Sequence, residues 1–301
     1  MRIVSMLSSA TEILYELGLG EDLVGISHEC DYPPEALSLP RASRSRFDPT
    51  GMTSGEIDAA VRRSMEEHGS VYEVDGEALS RLRADLVLTQ AVCEVCAVPT
   101  GSVVAATSGM MAPPEIVSLD AHTIDGIIGT VQQVADAARH PERGRRVTES
   151  MRGRLNSVRQ RVAGRERPRV LFLEWLDPPF SPGHWVPEMV GIAGGELLLG
   201  VAGERSEQTE WEVLAGLDPD VLLVEPCGYD LSQARHDAET HRKRLLAIAG
   251  RAAEADRAWL LHSSYFSRSG PRVIAGVEAL AALLHPETTM ADADGGIAQR
   301  W

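Results

Sequence analysis

The residues of this chain best suited to chemistry are its four cysteines, and each follows a stretch with the pattern of a β-strand. They are Cys30, Cys93, Cys96 and Cys227. Because ligands of α/β proteins bind at the carboxyl ends of parallel strands, thiols in these places are expected to share one site. Four thiolates suit a tetrahedral zinc ion or an iron–sulfur cluster. The sequence therefore predicts a metal or cluster site, with unliganded thiols lining a pocket and structural cysteines as the alternatives.

His28 extends this predicted site, because it precedes Cys30 by two residues in a segment expected to be extended. Residues i and i+2 of such a segment face the same way. A neutral imidazole is an apt axial ligand for cobalt or iron, and a loop histidine bonded to backbone is the alternative. Tyr32, in the same loop, is a further candidate for ligand contact.

A second dense group of functional side chains lies between residues 174 and 188. Its aromatic members are Trp175, Phe180 and Trp185, which could stack on a flat macrocycle or could pack in the core. Its ionisable members are Glu174, Asp177 and His184, which are candidates for proton transfer, metal ligation or hydrogen bonding to a ligand. After the last predicted strand, His262 is a further candidate for proton transfer and Tyr265 for ligand contact.

Composition excludes several functions. The chain has 301 residues, with 29 Lys plus Arg against 44 Asp plus Glu, and its net charge of −15 disfavours nucleic-acid binding. No run approaches the roughly 20 apolar residues of a membrane span. Residues 3–7 already have the pattern of a strand, with no export signal before them, which predicts a cytoplasmic protein with reduced thiols. No P-loop, dinucleotide fingerprint or serine-hydrolase elbow occurs, and nothing identifies a protein partner.

Strand patterns alternate with helical patterns along the chain, which predicts an α/β fold with mostly parallel sheets. We expect an N-terminal lobe at 1–122, a long linking helix at 123–163 with a kink or break at His140-Pro141, a C-terminal lobe at 164–286 and a poorly ordered tail at 287–301. A faint duplication supports two similar lobes, since the segment at 79–88 parallels that at 214–223, each with an aspartate before the strand (Asp85 and Asp220).

Several segments of the chain resemble the class III periplasmic binding proteins, and most of all the vitamin B12-binding component of the B12 importer. The resemblance covers about residues 1–286, and it is carried by Ile3–Ile13, Leu23–Ile26, Asp31–Pro34, Arg83–Leu88, Ser118–Ile124, Pro178–Phe180, Gly194-Gly195 and Ser269–Arg272. It implies two Rossmann-like lobes bridged by one long helix, with a cobalamin, haem or iron-siderophore ligand clamped in the cleft. The chain departs from that pattern by its four cysteines and by the missing export signal.

Two functions follow as hypotheses. The first is a cytoplasmic binding protein for cobalamin or a related corrinoid or metal chelate, and the resemblance supports it. The second is an enzyme on the same fold, with zinc or an iron–sulfur cluster held by the four cysteines. The sequence leaves open whether any reaction is catalysed, and it favours the binding protein.

Overall fold

The computed structural model describes residues 1–92, 97–288 and 296–301. Their contacts divide the chain into two compact units. Unit 1 comprises Met1–Gly51, Ala59–Ala121 and Asp125–Ser150, and unit 2 comprises Met52–Asp58, His122–Ile124 and Met151–Trp301.

Unit 1 is built on a four-stranded parallel sheet. The strands of the unit are β1 (Ile3–Ser5), β2 (Leu23–Ile26), β3 (Ser43–Ser45), β4 (Tyr72–Val74), β5 (Leu86–Thr89) and β6 (Glu115–Ser118). The helices that lie wholly or mostly in it are α1 (Ser8–Glu16), α2 (Ser54–His68), α3 (Gly76–Leu82), α4 (Thr100–Thr107) and α5 (Ile124–Ala137), of which α2 and α5 have their first residues in unit 2. The sheet order is β2-β1-β5-β6, while β3 and β4 form a separate antiparallel pair. Val4, Met6 and Val87 lie in the apolar core of this unit.

Unit 2 is built on a five-stranded sheet in the order β10-β7-β11-β12-β13. Helix α6 (Pro141–Val162) begins in unit 1 and continues into unit 2 from Met151. The other elements of unit 2 are β7 (Arg169–Leu173), β8 (Trp175–Leu176), β9 (Pro179–Phe180), α7 (Val186–Ile192), β10 (Glu196–Leu197), α8 (Trp211–Ala215), β11 (Val221–Val224), α9 (Leu231–Thr240), α10 (Arg242–Glu254), β12 (Ala258–Leu261), α11 (Val273–Leu284) and β13 (Ala298–Arg300). All pairings in the large sheet are parallel except that of β12 with β13. The predicted fold class, α/β with mostly parallel sheets, is confirmed.

The duplicated aspartates have the same role in both units. Asp85 Oδ2 accepts a hydrogen bond from the Arg2 N–H at 2.7 Å, before β1, and Asp220 Oδ2 accepts one from the Arg169 N–H at 2.8 Å, at the start of β7. Each aspartate thus aligns the starts of two neighbouring strands, and the carboxyl ends of these strands are aligned as a result.

The predicted interruption at His140-Pro141 is a break between two helices. α5 ends at Ala137 and α6 begins at Pro141, where the missing N–H of proline costs no helical bond. The prediction of a poorly ordered tail is wrong for Ala298–Arg300, since β13 pairs with β12. Among the helices described, none is long and apolar enough to cross a membrane.

Candidate functional site

At the carboxyl end of β2, His28 is held through one of its ring nitrogens, since Nδ1 lies 2.9 Å from Ser43 Oγ. Nε2 lies 3.1 Å from Glu29 Oε1 but is buried without a hydrogen-bond partner among the described residues. The ring also packs against Tyr72, with centroids 5.0 Å apart. Nε2 is therefore the nitrogen that could bind a metal without loss of the contact to Ser43. The nearby Tyr32 is 46% exposed.

The four predicted thiol ligands are only partly accounted for. Cys30 is buried in unit 1, and its Sγ lies 3.1 Å from Thr11 Oγ1. Cys227 is exposed at the carboxyl end of β11 in unit 2. Cys93 and Cys96 lie outside the described residues. Within the described ranges, no three His, Cys, Asp or Glu side chains are grouped to hold a metal ion, and the four-thiol site stays a prediction.

Glu174 directly follows β7 and connects two loops of unit 2. Its Oε1 accepts a hydrogen bond from the Gly183 N–H at 3.3 Å, and its Oε2 accepts one from the Ser206 hydroxyl. Gly183 is required there, because an added Cβ would collide with the backbone of Ser206 and Arg205. Desolvation by burial raises the pKa of Glu174 to about 7, against the lowering effect of these two hydrogen bonds. The carboxyl therefore titrates near neutral pH.

Glu225 directly follows β11, the strand beside β7. It is fully buried, its Oε1 accepts a 2.5 Å hydrogen bond from the Ser267 hydroxyl, and its Oε2 has no hydrogen-bond partner among the described residues. Desolvation, and then the charge of Glu174, raise the pKa of Glu225 well above its ordinary value. This setting favours the protonated form of the carboxyl.

The thiol of Cys227 completes this acidic end of the sheet. Desolvation, followed by the charges of Glu225 and Glu174, raises the pKa of Cys227 to about 12, although Arg268 acts in the opposite direction. Cys227 is nevertheless exposed, and contact with water reduces the effect of desolvation on its pKa. The thiol is therefore protonated at neutral pH and is a weak nucleophile and a weak metal ligand unless a metal displaces its proton.

Aromatic side chains surround the same strand ends. Trp175 and Tyr229 meet with ring centroids 5.3 Å apart, and Trp175 also pairs with Phe180 across the β8–β9 hairpin. The Trp175 indole N–H donates to the Asp177 carbonyl at 3.1 Å, which fixes the ring. All three rings are half-buried, so each keeps an accessible surface beside the carboxyl pair.

His184 and Trp185 behave differently from each other. His184 has a φ of +49°, uncommon for a residue other than glycine, and its N–H donates to the Glu204 carbonyl at 2.5 Å. Burial, and then the charges of His122 and Arg205, lower the pKa of His184, so its imidazole is neutral at neutral pH. Trp185 is only 7% exposed and its indole N–H donates to the Phe266 carbonyl at 2.6 Å. We therefore assign Trp185 to packing, and its burial does not support the predicted stacking on a ligand.

The remaining candidates have structural contacts. His262 Nδ1 accepts a hydrogen bond from the Ser264 N–H at 3.3 Å, and its ring meets the edge of Tyr265 at 5.8 Å. Arg272 lies over the Tyr265 ring at 5.2 Å. Asp177 packs against Gly55, where an added Cβ would lie 2.7 Å from Asp177 Oδ2. Proton transfer by these groups stays a prediction.

Four residues of this site were not predicted from the sequence: Glu225, Tyr229, Ser206 and Ser267. Glu225 could have been found, because it follows four consecutive apolar residues at the end of a buried strand. Ser206 could not, because it lies 32 residues from Glu174, and only folding brings the two together.

This geometry places polar and aromatic groups at the carboxyl ends of parallel strands, and sequence comparison gives the family. The family model described as periplasmic binding protein matches residues 3–247, well over half of the chain. The chain belongs to the periplasmic binding protein family. The predicted resemblance is confirmed.

Relatives within the periplasmic binding proteins span nearly the full length of the chain. The vitamin B12-binding protein of Vibrio cholerae serotype O1 is 23% identical over 296 residues, which cover 94% of this chain and 88% of that protein. The vitamin B12-binding protein of Yersinia pestis is 24% identical over 294 residues, which cover 93% and 84%.

Solved structures agree on the fold. The periplasmic vitamin B12 binding protein of Vibrio cholerae superposes with a TM-score of 0.70 at 22% identity, covering 96% of this chain and 98% of that one. A periplasmic heme binding protein from Pseudomonas aeruginosa superposes with a TM-score of 0.73 at 20% identity, covering 97% and 95%. Since proteins with different ligands share this fold, the ligand must be argued from the site.

Proposed function

We propose that this binding protein takes up a corrinoid, cobalamin or a close relative, at the carboxyl ends of β7 and β11. The observation that carries the proposal is the half-buried pair of Trp175 and Tyr229, 5.3 Å apart, beside the carboxyls of Glu174 and Glu225. A corrinoid combines a broad apolar ring with a periphery of hydrogen-bonding groups, and such a ligand needs aromatic surface and polar side chains together. The vitamin B12-binding relatives support the same choice.

Titration calorimetry with cyanocobalamin tests the proposal. We expect one equivalent to bind with a dissociation constant of roughly 1 μM or tighter. No heat of binding up to about 100 μM cyanocobalamin would overturn it. Hemin is the comparison ligand, because heme-binding proteins share the fold. Tight binding of hemin without binding of cyanocobalamin would show that the site binds another class of macrocycle and not a corrinoid.

Two sequence predictions accompany this proposal. The cytoplasmic location is tested by fractionating cells that express the full-length gene from its own start codon. The alternative function, an enzyme with zinc or an iron–sulfur cluster, depends on Cys93 and Cys96, which lie outside the described residues. Metal analysis of the purified protein is its test.

A further inference from the structure

Glu174 and Glu225 are neighbours at the end of the unit 2 sheet. Leu173 in β7 pairs with Val224 in β11, so the residue that follows each strand stands beside its counterpart at the spacing of adjacent strands, about 4.8 Å. The Glu225 N–H donates to the Leu173 carbonyl at 2.9 Å and the Cys227 N–H to the Glu174 carbonyl at 3.0 Å, which continues the ladder past both acids.

Neither carboxyl has a balancing cation over the ranges that the structure describes, although Glu225 is fully buried and Glu174 is partly buried. Among the described residues, neither forms an ion pair with Lys, Arg or His, and each accepts a side-chain hydrogen bond only from a serine. Glu225 is 0% exposed, and its second oxygen has no hydrogen-bond partner in the described part of the chain. A fully buried polar oxygen without a partner is costly, and most so when the carboxyl is ionised, which favours the protonated form of Glu225. Glu174, which is only partly buried, is the member of the pair that a ligand can reach.

We propose that Glu174 and Glu225 form a carboxyl pair that selects a ligand with neutral amides at its periphery over one with carboxylates. The inference rests on the proposed function, because it assumes that the ligand binds at these strand ends. It goes beyond that function by naming the peripheral group that this end of the sheet recognises.

The chemistry of the pair gives the reason. A protonated carboxyl donates one hydrogen bond and accepts another, as a primary amide does, so the two groups satisfy each other. An ionised carboxyl still accepts from the amide N–H, so an amide is tolerated in both protonation states. A carboxylate on the ligand meets like charge as soon as the pair ionises, and this repulsion is strong where water is largely excluded.

Two further groups lie near the pair. The pKa of Cys227 is raised in part by the charges of Glu225 and Glu174, so this thiol is neutral, and the positive charge of Arg268 acts on Cys227 in the opposite direction. The pKa of Glu174 is about 7, so the pair gains negative charge as pH rises through neutrality. Discrimination against carboxylates should therefore grow with pH.

Two corrins that share a ring provide the test. Dicyanocobinamide carries amides at the periphery, and dicyanocobyrinic acid carries carboxylates that stay ionised at both about pH 6 and about pH 8. Affinities of the full-length wild-type protein for both are measured by calorimetry at the two pH values. At each pH we take the ratio of the affinity for the amide corrin to the affinity for the carboxylate corrin. We expect this ratio to be roughly tenfold larger at about pH 8 than at about pH 6.

Variants assign the effect to the pair. In Glu174→Gln/Glu225→Gln, the ratio of the two affinities should no longer change with pH, whereas the exposed control Glu212→Gln should keep the wild-type response. Equal affinities at about pH 8, or a ratio in wild-type protein that does not respond to pH, would overturn the inference while corrinoid binding stands. Binding of neither corrin, together with no binding of cyanocobalamin, would overturn the proposed function itself.

Discussion

Glu174 is one residue through which pH acts on the stability of unit 2. Its pKa is about 7 in the folded protein against 4.5 for an ordinary glutamate, so folding favours its protonated form. The resulting stabilisation is fully present below about pH 4.5 and is lost as pH rises through about 7. Glu225 shifts in the same direction and adds to the effect.

The free energy of unfolding should therefore fall between about pH 5 and about pH 8, by about 2 kcal/mol for Glu174 alone. Glu174→Gln should flatten this dependence, since its side chain does not ionise. Urea unfolding at several pH values measures the slope. Glu212→Gln is the control, and an equally steep slope in Glu174→Gln would show that other groups cause the dependence.

Trp175 should dominate the contact with a corrin ring. Trp175→Ala removes the ring beside Tyr229, and we expect the affinity for cyanocobalamin to fall by roughly tenfold or more. Trp175→Phe should retain most of the affinity because it keeps an aromatic face. Trp259→Ala, which alters a tryptophan packed under Arg300 at 4.7 Å on β12, should change stability without changing affinity. Full affinity in Trp175→Ala would exclude stacking on this residue.

At the scale of elements, two loops that meet at Glu174 give the site its shape. The Ser181 N–H donates to the Glu207 carbonyl at 2.9 Å and the Gly203 N–H to the His184 carbonyl at 2.8 Å, so the loops around 181–184 and 203–207 are joined by backbone as well as by Glu174. Close backbone approach of this kind tolerates no side chain at Gly183.

Gly183→Ala should therefore lower the free energy of unfolding by about 1–3 kcal/mol and weaken ligand binding, because the two loops must separate. Gly191→Ala is the matched control. Gly191 lies in α7 with nothing within 4 Å of an added Cβ, and there alanine should raise stability by about 0.5–1 kcal/mol. Thermal unfolding of both variants distinguishes a steric effect from a general effect of adding a methyl group.

The sequence could predict the elements better than their contacts. Apolar runs such as Val221–Val224 identified the strands of the sheet, and Pro141 identified the break between α5 and α6. The partner of β12 could not be predicted, because Ala298–Arg300 is a polar three-residue edge strand without an apolar pattern. The pairing of Glu174 with Ser206 depends on long-range folding, for which neither periodicity nor spacing gives a pattern.

At the scale of the whole molecule, the cysteines are divided between the two units, with Cys30 in unit 1 and Cys227 in unit 2. The sequence prediction of a shared metal or cluster is tested by elemental analysis of protein purified without oxygen. It requires stoichiometric zinc or iron, lost in Cys93→Ser and Cys96→Ser variants. Absence of both metals from folded wild-type protein would contradict the prediction and leave the thiols as pocket or core residues.

The central claim is that a corrinoid binds at the carboxyl ends of β7 and β11, and hydrogen–deuterium exchange with and without cyanocobalamin tests it most directly. We expect slower exchange in peptides that cover residues 174–184 and 226–230, with β13 unchanged as the internal control. Cyanocobalamin that binds without slowing exchange in either segment would contradict the account, because the ligand would then occupy another surface of the molecule.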